Sequence, residues 1–158
     1  MTQDKLRGNE YRSTTVCIDS YKSSVPVGRI YNPALSGGVD FYGTMQFILR
    51  MDALLDGMNF PQPFMETRSF NRREKRLPVF STNAEIRHGS LATFIIRIFF
   101  RRNASWQGSV IWLESGREES FRSALELMVL ADSALNEALE SAQRVKKNTG
   151  KQNSSTAY

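Results

Sequence analysis

The chain has 158 residues, of which 41% are hydrophobic and 11% aromatic, and it carries a net charge of +5 at neutral pH. That length is about one domain, and the apolar fraction is enough for a core, which excludes a wholly disordered protein. Its single cysteine, Cys17, and single histidine, His88, exclude an internal disulfide and a zinc site of four such ligands. The polar opening residues and the short apolar stretches are not typical of a signal peptide or a membrane span, so we expect a cytoplasmic protein with no membrane partner.

The first half of the chain predicts two strands and a helix. Residues 1–9 are polar and are expected to form a flexible terminus. Thr, Val and Ile residues predict a strand at 10–19, a turn at 20–24 and a second strand at 25–31. Apolar residues at helical spacing then predict an amphipathic helix from Asp40 to Asp56, with Asp40 as its N-cap and Gly57 just beyond its end.

The second half predicts the same series of elements. A Phe- and Ile-rich strand is expected at 91–101 and its hairpin partner at 106–114. A long helix is expected at 121–147, with Ser123 and Glu126 at the spacing of a capping box. The polar residues 148–158 are expected to be a disordered tail.

Residues 11–56 align with residues 91–136 at a constant offset of 80 without a gap. Gly28 then matches Gly108, and Phe41 matches Phe121 as a residue that anchors the start of each helix on the sheet. A glycine inside a strand marks a bulge or a close approach of another backbone. We therefore interpret the chain as an internal repeat of two diverged β-hairpin–helix units.

These units predict an α+β fold with a four-stranded antiparallel sheet and two helices on one face. The single domain would span residues 10–147, with repeat one at 10–57, a linker at 58–90 and repeat two at 91–147. The other face of the sheet would be free, and it must be solvated, paired with another subunit or used for binding.

Basic residues are concentrated in the middle of the chain. Residues 57–113 contain nine Lys or Arg and three Asp or Glu, whereas residues 114–140 contain two and seven. Clustered Arg and Lys can neutralise phosphates, and nearby aromatic residues can stack on unpaired bases. The nucleic-acid-binding candidates are Arg72, Arg73, Lys75, Arg76, Arg97, Arg101 and Arg102.

Alternation along the strand would place Arg97 and Arg101 on one face, next to Phe99. A second interpretation is that the basic run is a solvated loop, that the arginines pair with the acidic C-terminal helix and that the aromatic residues are core. Both tryptophans, Trp106 and Trp112, would also share one face. They are either core residues or a subunit interface, and we take them as candidate interface residues of a homodimer.

Neither His88 nor the Ser36-Gly37-Gly38 loop forms a catalytic or phosphate-binding motif. We therefore expect no catalytic residue, no cofactor and no metal. The leading expectation is a non-catalytic module that binds single-stranded DNA or RNA through a basic hairpin and loop. The alternative is a homodimeric protein-interaction module that associates through the free sheet face or the exposed side of the long helix. The third is a small-ligand sensor.

The segments Asn103–Gly108 (NASWQG) and Phe121–Leu127 (FRSALEL) resemble a family of small uncharacterised bacterial proteins from Gram-positive anaerobes. The resemblance implies a bacterial cytoplasmic setting and brings no activity or site with it. The repeated sheet-then-helix plan is also similar in outline to Whirly and PUR-type single-strand-binding proteins. Those proteins have four strands before each helix, where two are predicted here.

Overall fold

The computed structural model describes residues 13–59, 61–63, 68, 70 and 87–152. Two similar series of three strands and a helix follow each other along the chain. The first series is β1 (Ser13–Lys22), β2 (Val25–Tyr31), β3 (Val39–Tyr42) and α1 (Gly43–Met58). The second series is β4 (Ala92–Phe100), β5 (Gln107–Trp112), β6 (Arg117–Phe121) and α2 (Ala124–Gln152).

The strands form one six-stranded antiparallel sheet in the order β3-β2-β1-β4-β5-β6. The α+β class is confirmed, but the four-stranded sheet is wrong because each helix is preceded by three strands. The missed strands β3 and β6 are short edge strands. In β6 only Phe121 is buried, and the charged residues of an edge strand hide the alternation that would predict it.

Phe41 and Phe121 are buried at the ends of β3 and β6, so they precede the helices that the sequence placed them in. The capping box of α2 is confirmed in part, because Ser123 Oγ accepts a hydrogen bond from the Glu126 N–H at 3.1 Å. α1 has no side-chain cap, so Asp40 is not its N-cap. α1 ends at Met58, followed by the C-cap Asn59 with a left-handed φ of 52°, and so it continues past the predicted end at Gly57.

α2 extends to Gln152, beyond the predicted end at residue 147. Residues 148–152 are therefore helical, which corrects the prediction of disorder for this part of the tail. From residue 141 to residue 150 every side chain is exposed. The predicted flexible terminus at 1–9 and the rest of the predicted tail, 153–158, lie outside the described residues.

The central strands pair with a register that is symmetric at the offset of 80. Thr15 lies opposite its own counterpart in the second half, Ile95. On either side of this pair, Cys17 lies opposite Thr93 and Ser13 lies opposite Arg97. Arg97 is the counterpart of Cys17 and Thr93 is the counterpart of Ser13, so these two pairs are equivalent. This register is the one that an approximate twofold axis between β1 and β4 would produce.

The two matched glycines also occupy equivalent places. Gly28 lies between Ile18 of β1 and Phe41 of β3, and Gly108 lies between Ile98 of β4 and Phe121 of β6. A Cβ at Gly28 would lie 1.9 Å from the Cys17 carbonyl oxygen, and one at Gly108 would lie 1.8 Å from the Arg97 carbonyl oxygen. The close backbone approach predicted for these glycines is confirmed.

The hydrophobic core lies between the sheet and the two helices, which both cover the same face. Burial of this apolar surface is the main stabilising contribution to the fold. The core residues from the strands are Val16, Ile18, Tyr21, Ile30, Val39, Phe41, Ala92, Phe94, Ile96, Ile98, Val110 and Phe121. Those from the helices are Phe47, Met51, Leu54, Leu55, Leu127, Ala134 and Leu135.

Candidate functional site

The end of the β4–β5 hairpin carries an exposed group of aromatic and basic residues on and beside β4. Phe99 and Phe100 are 41% and 50% exposed, which is unusual for phenylalanine. The Arg102 guanidinium lies over the Phe100 ring, 5.1 Å from its centroid. Arg97 is also exposed, and its Nε donates a hydrogen bond to Ser13 Oγ at 3.1 Å. We call Arg97, Phe99, Phe100 and Arg102 the hairpin surface.

Arg101 does not belong to this surface. The register of β4 shifts between Ile98 and Phe100, and this bulge breaks the alternation that would have placed Arg101 beside Arg97. Arg101 is instead 4% exposed, with its Nη1 at 2.6 Å from Asp56 Oδ1 and 3.7 Å from Asp52 Oδ1. The prediction that Arg97 and Arg101 share a face is wrong, and a buried, paired guanidinium has no surface to offer to a phosphate.

The basic loop residues Arg72, Arg73, Lys75 and Arg76 lie outside the described residues. Two residues of the segment that leads to them, Pro61 and Pro63, contact Arg101. Pro63 forms an isolated parallel bridge with Arg101, and the Pro61 carbonyl accepts a hydrogen bond from Arg101 Nε. Arg68 is exposed. The chain that precedes the basic residues is therefore held against Arg101 at Pro61 and Pro63.

Trp106 and Trp112 both lie on the helix-covered side of the sheet. Trp106 is 4% exposed within the core, so the prediction that it forms a subunit interface is wrong. Trp112 is half-buried against the core, with the Arg117 guanidinium 4.9 Å from its ring centroid. Its buried Nε1 has no hydrogen-bond partner among the described residues. These are the positions of core residues, the other option that the sequence left open.

The uncovered face of the sheet differs between its two halves. In the first half, Asp19 accepts hydrogen bonds from Arg29 at 3.0 and 3.1 Å and from the Ser90 N–H at 3.1 Å. Arg29 also donates to the His88 carbonyl at 3.1 Å. The segment before β4 is thereby fixed against β1, and the exposed fraction of Cys17 in the same strand is zero.

The pKa values of Asp19 and Cys17 reflect these surroundings. Burial alone would raise the pKa of Asp19, but hydrogen bonds from Arg29 and Ser90 lower it overall. Burial raises the pKa of the Cys17 thiol to about 11, so this cysteine is a neutral core residue at ordinary pH. In the second half of the sheet, Phe99 takes the place of Asp19 at the offset of 80. Phe99 is 41% exposed at that end of the face.

The outer sides of the helices carry four exposed apolar residues, which we call the helix stripe. Met45 and Leu49 of α1 are 72% and 58% exposed, and Leu125 and Val129 of α2 are 74% and 60% exposed. Met45 matches Leu125, and Leu49 matches Val129, at the offset of 80. Helical spacing predicts that a helix has an apolar side, but it does not show that these four residues would remain uncovered.

A cavity of about 280 Å³ lies between the helices and the central strands. Its walls are mostly apolar and include Pro26 and Phe47 from the first half and Ala131 from α2. At one side the Tyr21 hydroxyl donates a hydrogen bond to Asp132 Oδ1. Burial and this hydrogen bond both raise the pKa of Tyr21. The cavity could not be predicted from the sequence, because helical and strand periodicity do not show where two packed elements fail to meet.

The described residues contain no group of three or more His, Cys, Asp or Glu side chains that could hold a metal ion. None of the described helices is both long and apolar enough to cross a membrane. Comparison with known protein families, curated proteins and solved structures found no match for this chain. The resemblance to a bacterial family and the outline similarity to Whirly and PUR-type proteins therefore stay predictions.

Proposed function

We propose that this chain is a non-catalytic binding module that holds single-stranded nucleic acid on the hairpin surface. The observation that carries the proposal is that two exposed phenylalanines, Phe99 and Phe100, are flanked in the chain by two exposed arginines, Arg97 and Arg102. The Arg102 guanidinium also lies over the Phe100 ring. Aromatic rings stack on unpaired bases of any sequence, and arginines neutralise the phosphates between them. Duplex DNA would bind less well because its bases are already stacked.

The described residues that precede the basic segment support the same site. Arg101 ties the hairpin to Asp56 at the end of α1 and to Pro61 in the segment that follows. The chain then runs through exposed Arg68 toward Arg72, Arg73, Lys75 and Arg76. In this proposal Arg101 positions the hairpin and does not contact phosphate, while the loop arginines extend the basic surface.

A difference between the two halves of the uncovered sheet face favours a binding site in the second half over one in the first half. In the first half, the Asp19–Arg29 pair and the backbone at His88 and Ser90 occupy the uncovered face. In the second half the equivalent position is Phe99, which is exposed. In this proposal the nucleic acid lies beside β4, where Phe99 is exposed, and not beside β1, where described residues occupy the face.

Fluorescence anisotropy with labelled single-stranded DNA, single-stranded RNA and duplex DNA tests the proposal at two salt concentrations. We expect single strands to bind more tightly than duplex, with an affinity that falls steeply as salt rises. Phe99→Ala with Phe100→Ala should weaken binding at both salt concentrations, by about 1–3 kcal/mol for each stacked base. Arg97→Ala with Arg102→Ala should also reduce the salt dependence.

Matched controls come from the far side of the molecule. Leu113→Ala removes an exposed apolar residue, and Arg144→Ala removes an exposed arginine near the end of α2. Neither change should alter binding by more than a factor of two. Absence of binding at low salt, or equal losses in the controls and the hairpin variants, would contradict the proposal.

A second candidate function is homodimerisation, which the helix stripe favours. Large exposed apolar groups often mark protein interaction sites, and each helix exposes two such residues, which are Met45 and Leu49 on α1 and Leu125 and Val129 on α2. Light scattering should then give a dimer mass that Leu49→Lys with Val129→Lys converts to a monomer mass. Leu113→Lys, on a different surface, should leave the dimer intact, and a wild-type monomer over a wide concentration range would remove this candidate.

A further inference from the structure

The cavity beside Tyr21 has an equivalent place in the second half of the molecule that is occupied by bulky side chains. At the offset of 80, Pro26 in the cavity wall corresponds to Trp106, whose indole is almost fully buried in the core. On the helix side, Ala131 in the cavity wall corresponds to Met51 of α1, whose exposed fraction is zero. At two points, a small residue borders the cavity where its counterpart is large.

The size of the open place limits what could fill it. A dry apolar cavity of about 150 Å³ accommodates benzene, and this cavity measures about 280 Å³. A molecule of one or two fused rings would fit that volume. The apolar wall residues, among them Phe47, Phe94 and Leu135, would remove the rings from water, which is the main source of affinity in such sites.

The polar groups of the cavity indicate which polar group the ligand should carry. Asp132 is a carboxylate in the cavity wall that accepts the Tyr21 hydroxyl at one oxygen, Oδ1. A carboxylate has two oxygens with acceptor capacity beyond one such bond. A ligand with an N–H or O–H group directed at Asp132 would therefore be favoured over the same ring without a donor.

We propose that this cavity is a binding site for a small aromatic molecule of one or two fused rings that carries a hydrogen-bond donor, such as an indole or an aromatic amine. The site is separate from the hairpin surface, because none of the hairpin-surface residues lines it. The proposal does not depend on nucleic-acid binding, and its test requires no nucleic acid.

The test uses indole and benzofuran as probes, because they have nearly the same shape and only indole has an N–H donor. Titration of the full chain followed by ¹⁵N NMR should show saturable shifts of the Tyr21, Ala131 and Asp132 amides with indole. Benzofuran should bind about tenfold more weakly. Asp132→Asn should weaken indole about tenfold and change benzofuran less than twofold.

Two variants fill the cavity with the residues of its counterpart. Pro26→Trp and Ala131→Met should each weaken indole binding at least tenfold, and Leu113→Trp, which adds an indole on an exposed site, should leave it unchanged. If Pro26→Trp does not fold, Ala131→Met decides alone, since methionine is a good helix former. No saturable indole binding to the wild-type chain, or undiminished binding to the variants that fold, would overturn the proposal. If another part of this chain already fills the cavity, the wild-type chain will show no saturable indole binding, and the proposal is overturned.

Discussion

Tyr21 at the end of β1 donates a hydrogen bond to Asp132 in α2, the helix that belongs to the other half of the chain. The equivalent residues at the offset of 80 are Arg101 and Asp52, and they also meet, with Arg101 Nη1 at 3.7 Å from Asp52 Oδ1. Each half therefore sends a side chain from its first strand to the same aspartate position on the opposite helix. These two crossed contacts connect the halves independently of the β1–β4 pairing.

Arg101 is expected to be the more important of the two contacts for stability. It is buried, and Arg101→Met would leave Asp56 and Asp52 without this cation and remove the hydrogen bond to the Pro61 carbonyl. The carboxylates that remain are 34% exposed at Asp56 and 21% exposed at Asp52, so water can solvate them in part. Hydrogen bonds to charged groups contribute about 1.5–3 kcal/mol, and we therefore expect a loss of about 2 kcal/mol in the free energy of unfolding, measured by urea denaturation.

The control for this prediction is the next residue along the chain. Arg102 is exposed, so Arg102→Met should change the free energy of unfolding by no more than about 0.5 kcal/mol. Similar small effects for both variants would show that the Arg101 pair contributes little to folding.

The glycines of the two middle strands are expected to resist any side chain. In Gly28→Ala and Gly108→Ala the new methyl group would lie 1.9 and 1.8 Å from a carbonyl oxygen of the neighbouring strand. Because that atom is backbone, the strands must separate, and we expect a loss of more than about 3 kcal/mol in each variant. Thermal unfolding followed by circular dichroism measures both.

Gly57 is the matched control, with the opposite sign. It lies in the last turn of α1, and a Cβ there would have nothing within 4 Å. Gly57→Ala should stabilise the protein by up to about 1 kcal/mol, because alanine loses less conformational entropy in a helix. Equal destabilisation at all three glycines would contradict the steric explanation.

Much of the fold could be predicted from the sequence because its main elements have strong periodic patterns. The strands β1, β2, β4 and β5 and both helices were placed within a few residues of where they lie, and the matched glycines indicated close strand contacts. β3 was missed because three of its four residues, Asp40 to Tyr42, were read as the first turn of α1. β6 was missed because its side chains before Phe121 are exposed and mostly charged.

The candidate site was harder to predict, and the reason is local geometry. Strict alternation put Arg101 next to Arg97, but a one-residue bulge turned Arg101 toward the helices. The same bulge leaves both Phe99 and Phe100 exposed, which alternation does not allow. A bulge leaves little trace in the sequence of a strand. The contact from Arg101 to Asp56 that the bulge makes possible could therefore be found only once the fold was known.

Asp19 is expected to stabilise the protein in a way that depends on pH. The pKa of Asp19 is lowered in the folded state, so its contribution is present above the ordinary value of 3.8 and is lost as the pH falls through the folded value. Asp19→Asn should therefore cost about 1 kcal/mol at pH 7 and progressively less below pH 4. Urea denaturation at pH 7, 5 and 3 measures the difference.

The same variant should loosen the segment before β4, because Asp19 accepts hydrogen bonds from the Ser90 N–H and hydroxyl. Hydrogen exchange at Ser90 should become faster in Asp19→Asn, whereas exchange at Val110, on the buried side of β5, should not change. A difference between wild type and variant that is the same at every pH would contradict the role given to the Asp19 carboxylate.

Cys17 is expected to give the opposite pH dependence, at the alkaline end. Burial raises the pKa of its thiol from the ordinary 9.0 to about 11. The folded state keeps the proton longer than the unfolded state, so this contribution is fully present below pH 9 and is lost as the pH rises to 11. Two pKa units correspond to at most about 3 kcal/mol.

Because tyrosines and lysines titrate in the same range, the measurement is the difference in the free energy of unfolding between wild type and Cys17→Ala. This difference should be constant from pH 7 to 9 and should move against the wild type by about 1 kcal/mol or more by pH 10.5. A constant difference over the whole range would mean that the thiol is not shielded from water as its zero exposure indicates.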